Sequence, residues 1–251
     1  MEPIIHPAFE QQTSTWQYIV ACPRTFQPAI INPVLDYDQT QMSIGTTSAD
    51  ALLDFATSYD YTTTCLETHA HADHLTAAYY IQQKLETKKQ NKIKLSIRIK
   101  ELDNAFDHLF QDDDTFQIGD ITGQTLHLPG HTPDHSGYII GSNVFTGDSI
   151  FNSDVGSARC DFPDGDAHAL YGFMQKLLSL PDKYKLYTKH ENPSSEGNKH
   201  VKGNTPKEDF VRCRQERDSG LHEPQASHQV LQVNIRGGKL PLSEDGGVAI
   251  E

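Results

Sequence analysis

The chain has 251 residues, of which 36% are hydrophobic and 22% are charged, proportions typical of a globular protein. No apolar run approaches the roughly 18 residues of a membrane-spanning helix, so a membrane role is not expected. The formal net charge of −13 argues against nucleic acid and anionic lipid as partners, because both bind basic faces. An anionic small substrate would need a local positive group of its own.

The cysteines indicate the redox environment. Cys22, Cys65, Cys160 and Cys213 are scattered without a CxxC spacing, which is typical of a reduced, intracellular protein. The first residues read MEPIIHPAFEQQ and resemble neither a secretory signal nor an Arg-rich presequence. The sequence therefore predicts a cytoplasmic protein, and a mitochondrial location is left open because a trimmed organellar chain would look the same.

Strand and helix patterns alternate in the first half. The segments STWQYIVA and PAIINPV are typical of strands, and SADALLDFATSY predicts a helix with Ser48 as its N-cap. YTTTCLE is rich in β-branched residues and predicts a strand. LTAAYYIQQKLETKK predicts a helix with lysines at its end. IRIKELDNAFDHLF, with apolar residues at three- and four-residue steps, predicts another helix.

The second half begins with strands. The run DDD at 112–114 predicts a solvated loop, and DTFQIGD, QTLHLPG, GYIIG and NVFTGD predict strands separated by glycine and proline turns. A helix is expected from Asp166, its cap, to Leu180 before Pro181. The strand KLYT and a last helix near Lys207–Arg217 follow, and the tail after about residue 238 is expected to be flexible. Together these patterns predict a single α+β domain over residues 1–251, with helices outside two mixed sheets.

The segment ETHAHADHL, Glu67–Leu75, places three histidines and an aspartate within six positions. Such a cluster would be a poor core, because buried polar groups need partners. The cluster therefore predicts a metal site formed by His69, His71, Asp73 and His74. His69 and His71 are two residues apart, so in extended backbone they face the same side.

Further candidate ligands each follow a predicted strand. His131, Asp148 and His190 stand at strand ends, where a rigid sheet can aim side chains at a common point. Each alone is explained better by a surface or turn role, and the histidine cluster is what favours a ligand role. Arg159 follows Asp148 and is a candidate to grip a substrate carboxylate. Its neighbour Cys160 is interpreted as a packing residue rather than a nucleophile.

The motifs THAHADH, GHTPDH and TGD, followed by His190, stand in an order that resembles the metallo-β-lactamase superfamily. This resemblance implies an αββα sandwich with metal at one edge of the paired sheets. ETHAHADHLTAA, LPGHTPDHSGY, FTGDSIF, VGSARCDFPDGDAHALY and LLSLPD narrow it to the persulfide dioxygenase (sulfur dioxygenase) branch. The similarity runs from about Trp16 to about Gln215.

In that branch one Fe(II) is held by two histidines and an aspartate, which the resemblance assigns to His69, His131 and Asp148. Two imidazoles and a carboxylate on one face of the iron leave positions for a persulfide sulfur and O2. The implied reaction oxidises a thiol persulfide, with glutathione persulfide as the first candidate, to sulfite and free thiol. His71, Asp73, His74 and His190 would orient ligands and water.

The resemblance also bears on the substrate. Arg159 matches the family's contact to the thiol carboxylate. The family commonly has Asp-Tyr after the last histidine, where the tyrosine helps hold glutathione, whereas this chain has Glu191-Asn192. A thiol persulfide in general is therefore a firmer expectation than glutathione persulfide, and a homodimer is left open.

Two alternatives remain. The first is a dinuclear zinc hydrolase resembling glyoxalase II or a lactonase, in which a hydroxide between two zinc ions attacks a thioester or lactone. One metal would then take His69, His71 and His131, the other Asp73, His74 and His190, with Asp148 bridging. The second alternative is a metal-sensing or persulfide-binding module without catalytic activity. The segment VGSARCDF and the lack of a long C-terminal helical substrate domain favour the dioxygenase.

Overall fold

The computed structural model describes residues 1–57, 63–89, 94–97, 105–151, 156–190 and 205–242. The chain divides into two compact units. Unit 1 comprises Met1–Phe110, Gln117–Thr122 and Glu223–Glu251, and unit 2 comprises Gln111–Phe116 and Gly123–His222. That the whole chain is one domain stays a prediction. None of the helices in these described ranges is both long and apolar enough to cross a membrane.

Unit 1 contains a mixed six-stranded sheet in the order β1-β2-β3-β6-β8-β9 and a small sheet in the order β5-β4-β7. The strands are β1 (Ile4–Glu10), β2 (Thr15–Ala21), β3 (Pro28–Ile31), β4 (Val34–Asp38), β5 (Ser43–Gly45), β6 (Thr64–Leu66), β7 (Leu75–Thr76), β8 (Lys94–Ile97) and β9 (His108–Leu109). Strands β1 to β3 are antiparallel neighbours, whereas β3, β6, β8 and β9 run parallel. The carboxyl end of β6 is the point at which the chain enters the histidine cluster.

Among its described residues, unit 1 has three helices: α1 (Thr47–Thr57), α2 (Ala78–Lys89) and α5 (Ser227–Asn234). Each contributes buried apolar side chains to one core cluster that also includes strand residues Ile30, Cys65 and Leu95. Burial of this apolar surface is the main favourable term for the unit. Helix α5 adds Val230 and Val233 to that core, so the last helix is an integral part of the unit that carries the histidine cluster.

Unit 2 carries most of a five-stranded sheet in the order β10-β11-β12-β13-β14. The strands are β10 (Thr115–Ile118), β11 (Ile121–His127), β12 (Ser136–Ile140), β13 (Asn143–Gly147) and β14 (Lys185–Thr188). Strands β11 to β13 pair antiparallel and β14 joins β13 in parallel. Helices α3 (Ala167–Leu178) and α4 (Lys207–Asp218) share a second core cluster with the sheet.

Most predicted elements are confirmed. Asp166 caps α3 by accepting from the backbone N–H of His168, and the helix ends before Pro181 as predicted. The acidic run 112–114 is a loop. Each of these signals is local, and turn chemistry and capping act within a few residues of the chain.

Three predictions were wrong in part. Helix α1 begins at Thr47, so Ser48 lies within it, and its hydroxyl donates to Asp36. Helix α2 begins only at Ala78, because Leu75 and Thr76 pair with β4. The helix predicted over IRIKELDNAFDHLF starts on Ile97 of β8 and ends with β9, both strands. Its middle, 98–104, lies outside the described residues, as do 243–251 of the predicted tail.

Candidate metal centre

The segment Glu67–Leu75, here called the histidine segment, leaves β6 and returns to the small sheet through β7. Its three imidazoles are buried, with 2% or less of each residue exposed. The ring centroids of His69 and His71 are 4.0 Å apart, and those of His71 and His74 are 4.4 Å apart. Such close packing of buried imidazoles is costly without partners for their nitrogen atoms.

Within unit 1, His71, Asp73 and His74 bring one ligand atom each to within 4.8 Å of one another. Two imidazole nitrogens and a carboxylate oxygen suit zinc or iron. This donor set fits a transition-metal ion, and the predicted metal-binding role of the segment is supported by geometry within a single unit.

Two polar side chains lie beside the imidazole of His71: Asn32, which forms a hydrogen bond with it, and the carboxylate of Glu67. The Nε2 of His71 lies 3.4 Å from Glu67 Oε2 and 3.4 Å from Asn32 Oδ1. Both oxygens are acceptors when Glu67 is ionised, so Nε2 carries the proton and Nδ1 keeps a lone pair for a metal. The same Asn32 oxygen accepts from the backbone N–H of Thr68 at 3.0 Å.

In unit 2, His131 follows β11 and is buried, with 7% of the residue exposed. Its Nδ1 lies 2.8 Å from the backbone carbonyl oxygen of Arg159. A carbonyl only accepts, so Nδ1 carries the proton and Nε2 presents the lone pair.

The preceding Gly130 has φ of +138°, and a Cβ there would meet Leu170 Cβ at 2.5 Å. Only glycine fits this approach to α3.

Asp148 follows β13 and is 4% exposed. One carboxylate oxygen lies 3.3 Å from His190 Nε2, and the other lies 4.0 Å from Lys189 Nζ. Lys189 is completely buried, which requires a nearby negative charge. The structure thus brings two of the predicted residues, Asp148 and His190, together within unit 2. Glu191 and Asn192 lie outside the described residues.

The guanidinium of Arg159 forms hydrogen bonds with two other residues of unit 2. Its Nε and Nη2 each donate to Asp161 at 2.6 Å, and Nη1 donates to the backbone oxygen of His222 at 2.7 Å. This pairing holds the pKa of Asp161 below its ordinary value. The guanidinium also lies 4.8 Å from the ring of Phe162. Its substrate-binding role stays a prediction, and an anionic ligand would share this cation with Asp161.

Cys160 behaves as predicted. Burial raises the pKa of its thiol to about 12, so the thiolate that a nucleophile needs is scarce at neutral pH. Its backbone N–H donates to Asp218 at 2.9 Å.

His135 is buried beside His131, with ring centroids 5.8 Å apart, and its ring nitrogens lie 3.4 Å from Ser149 Oγ.

Sequence reasoning missed four residues that hold the candidate ligands: Asn32, Glu67, Lys189 and Asn234. Two of them lie beside a ligand motif, since Glu67 opens the histidine segment and Lys189 precedes His190, whereas Asn32 stands in the strand segment PAIINPV. A search for polar residues next to ligand motifs would have found Glu67 and Lys189. Asn234 gives no such signal, because it lies more than 150 residues after His74.

No family model matches the chain. A β-lactamase hydrolase-like protein of Agrobacterium fabrum is 37% identical over 98% of the chain, which spans only 63% of that relative's length. Glyoxylase B2 of Dictyostelium discoideum is 36% identical over 96% of the chain and 92% of its own length. Mitochondrial persulfide dioxygenase ETHE1 of Bos taurus is 26% identical over 75% of the chain and 68% of its own length.

Solved structures give the fold. The crystal structure of ETHE1 from Myxococcus xanthus matches with a TM-score of 0.78 and 26% identity, covering 94% of this chain and all of that one. A metallo-β-lactamase from Staphylococcus aureus matches with a TM-score of 0.72 and 21% identity, over 92% of this chain and 71% of that one. The predicted α+β metallo-β-lactamase fold, with mixed sheets and flanking helices, is confirmed.

The similarity to these relatives and solved structures agrees with the metal donors found in the histidine segment. The relative from D. discoideum is aligned over nearly its full length, and the histidine segment supplies the clustered metal donors on which the resemblance was first based. The resemblance to the persulfide dioxygenase branch is confirmed by the structural match to ETHE1. The chain therefore belongs to the metallo-β-lactamase superfamily.

Proposed function

We propose that this enzyme is a persulfide dioxygenase that holds one Fe(II) through His69, His131 and Asp148. The observation that carries the proposal is the likeness to ETHE1, which extends over 94% of this chain and the whole of the M. xanthus structure. The family relationship to the persulfide dioxygenase of B. taurus supports it as well. The ligand set is the one that the resemblance to the persulfide dioxygenase branch implies.

The donor types suit this assignment. Two imidazoles and one carboxylate are the ligands of non-haem iron oxygenases, and they leave coordination positions open for reactants. Bound there, iron would supply the electron transfer that O2 needs to react with a closed-shell sulfur compound. The overall change is balanced when a persulfide, O2 and water give a free thiol and sulfurous acid, which ionises to sulfite at neutral pH.

The surrounding residues prepare these ligands. The carbonyl of Arg159 fixes the proton of His131 on Nδ1, so Nε2 is ready to bind without a change of tautomer. Lys189 and His190 lie against the two oxygens of Asp148. Their positive or hydrogen-bonding character favours the ionised carboxylate, which is the form that binds a metal.

The substrate class follows from charge. In a chain of net charge −13, an anionic thiol persulfide needs a cation at its binding site. Arg159 is the residue that we assign to this contact. Since Asp161 holds two of its N–H groups, we expect the substrate carboxylate to bind the guanidinium beside or in place of Asp161.

One observation favours a second candidate, a dinuclear zinc hydrolase. His71, Asp73 and His74 bring three ligand atoms within 4.8 Å of one another. A single-iron enzyme does not use these donors, whereas the dinuclear assignment uses His71 on one metal and Asp73 and His74 on the other. The names of the relatives from A. fabrum and D. discoideum also point towards hydrolases. In the dioxygenase these three side chains would instead orient ligands and water.

The deciding experiment measures metal and reaction on one preparation. Protein produced with iron available is analysed for iron and zinc, then assayed in an oxygen electrode with glutathione persulfide and, in parallel, for hydrolysis of S-lactoylglutathione. We expect about one iron per chain and oxygen uptake that depends on persulfide. Two zinc ions per chain with thioester hydrolysis and no oxygen uptake would replace this proposal with the hydrolase.

A further inference from the structure

The side-chain amide of Asn234, the last residue of α5, reaches into the backbone of the histidine segment. Its Nδ2 donates to the carbonyl oxygen of His71 at 2.8 Å and to that of His74 at 2.7 Å. Its Oδ1 accepts from the backbone N–H of Thr76 at 2.8 Å. Asn234 is 2% exposed, so these bonds form away from competing water.

The chemistry of this contact is specific to a primary amide. The two carbonyls require two donors from one nitrogen, and the N–H of Thr76 requires an acceptor on the same group. An aspartate of equal size would present oxygen atoms to both carbonyls, and an alanine would leave three buried backbone groups without this partner. The position therefore selects asparagine by its pattern of donors and acceptor rather than by its volume.

A further hydrogen bond connects Thr76, which Asn234 contacts, with Glu67, whose carboxylate lies beside the imidazole of His71. The hydroxyl of Thr76 donates to Oε1 of Glu67, and Oε2 of Glu67 lies 3.4 Å from His71 Nε2. Glu67 is 1% exposed. Asn234 thus holds the backbone of His71 directly, and the hydroxyl of Thr76, whose backbone N–H it also holds, bonds the carboxylate that lies beside the His71 ring. Asn234 therefore bonds the backbone at the middle of the histidine segment, near its end and just beyond it.

We propose that Asn234 is a positioning residue for the metal site, holding His71 and His74 in the arrangement that favours metal binding. It touches neither metal nor substrate and acts through the segment that carries Asp73 between them. The inference rests on the proposed function, in which His71 and His74 orient the ligands of the metal. It applies equally to the hydrolase alternative, in which His71 and His74 are ligands themselves. It also gives α5 a role at the site, although α5 lies beyond the part of the chain that carries the family motifs.

A purely structural role would have a different signature. Helix α5 also stabilises unit 1 through Val230 and Val233, which belong to its apolar core. Val230 lies one turn before Asn234 and is 1% exposed, so Val230→Ala destabilises the same helix while leaving the amide in place. This variant is the matched control for loss of stability.

The test uses the full-length protein, stripped of metal, and Co²⁺ as the probe. The Co²⁺ dissociation constant is measured by competition with a chromophoric chelator, the visible spectrum of bound Co²⁺ is recorded, and unfolding of the metal-free protein is followed in urea. We expect Asn234→Asp and Asn234→Ala to weaken Co²⁺ binding by about tenfold or more and to alter the spectrum, as loss of residues that orient ligands does. Val230→Ala should keep the dissociation constant within about twofold at a comparable loss of stability.

Equal Co²⁺ affinity in the Asn234 variants and the parent would overturn the proposal, as would an equal loss in Val230→Ala. Asn234→Ser gives the same decision if Asn234→Asp does not fold, because a hydroxyl can serve only part of the three contacts. Neither persulfide nor O2 enters the measurement. A wrong assignment of the reaction therefore leaves these results unchanged, and the two proposals fail separately.

Discussion

His131 and Arg159 are joined through a backbone atom: the imidazole Nδ1 lies 2.8 Å from the carbonyl oxygen of Arg159. Because the carbonyl belongs to the main chain, the side chain of Arg159 can be removed without removing the partner of His131. The role of this arginine in substrate binding and its role beside the candidate ligand can therefore be separated by mutation.

Arg159→Ala should keep its iron and raise KM for an anionic thiol persulfide by about tenfold or more, with a smaller effect on kcat, since it removes a charge-assisted hydrogen bond. Steady-state oxygen uptake and metal analysis measure the two quantities. An unchanged KM would show that the guanidinium serves only its contacts with Asp161 and His222.

Asp161→Asn should have the opposite effect on KM. Its carboxylate neutralises the guanidinium of Arg159 through two hydrogen bonds, so the amide would leave the cation more available to a substrate carboxylate. We expect KM to fall about twofold to fivefold for an anionic persulfide, measured at low ionic strength, where the charge is least screened. A rise in KM in both this variant and Arg159→Ala would indicate that the pair matters as a unit.

In the proposed dioxygenase, Asp148→Ala should strip the iron and abolish oxygen uptake, because the assigned ligand is lost and Lys189 and His190 lose their charged partner. Residual activity is expected below about one hundredth of the parent. Asp182→Asn, an exposed change in the same unit, is the control and should keep full iron content. Retained oxygen consumption in Asp148→Ala would contradict the ligand assignment.

Gly130→Ala should destabilise the protein by about 3 kcal/mol, since it combines a positive φ with a clash against Leu170. Gly172→Ala is its counterpart, because Gly172 lies within α3 and a Cβ there meets nothing within 4 Å. That variant should gain up to about 1 kcal/mol from helix propensity. Urea denaturation of both variants measures the free energies. Similar stabilities would contradict the close approach at Gly130.

Cys160→Ala should keep persulfide-dependent oxygen uptake within about twofold of the parent, because its buried thiol is protonated at neutral pH. The raised pKa, about 12, also predicts that iodoacetamide labels Cys160 in the folded protein far more slowly than in urea. Mass spectrometry of the labelled peptides measures this difference. Rapid labelling under native conditions would show that the thiol is ionised.

Local signals in the sequence predicted the fold better than signals that depend on distant partners. Asp166 and Pro181 mark the ends of α3 within the chain itself, and this helix was predicted correctly. Ile97 follows a helical spacing but pairs with Leu109 in a parallel strand, and Leu75 pairs with Leu35. Pairing with a remote strand overrides local propensity, which periodicity alone cannot reveal.

Helix α5 shows the same limit. It is only eight residues long, and the residue before it, Ala226, has a left-handed conformation without a capping side chain. The sequence has neither a capping residue nor a long apolar stripe that would predict this helix. The candidate ligands could be recognised because they are concentrated in short motifs, whereas Asn234 serves them from the far end of the chain.

That separation has a consequence for biosynthesis. His71 and Asn234 are 163 residues apart, and at 5–20 residues per second the ribosome needs roughly 8–30 s to make the intervening chain. During that interval the nascent chain contains His71 and His74 but not yet Asn234, whose side-chain amide bonds their backbone carbonyls. In the proposed role of Asn234, the histidine segment would therefore reach the arrangement that favours metal binding only after α5 has been synthesised.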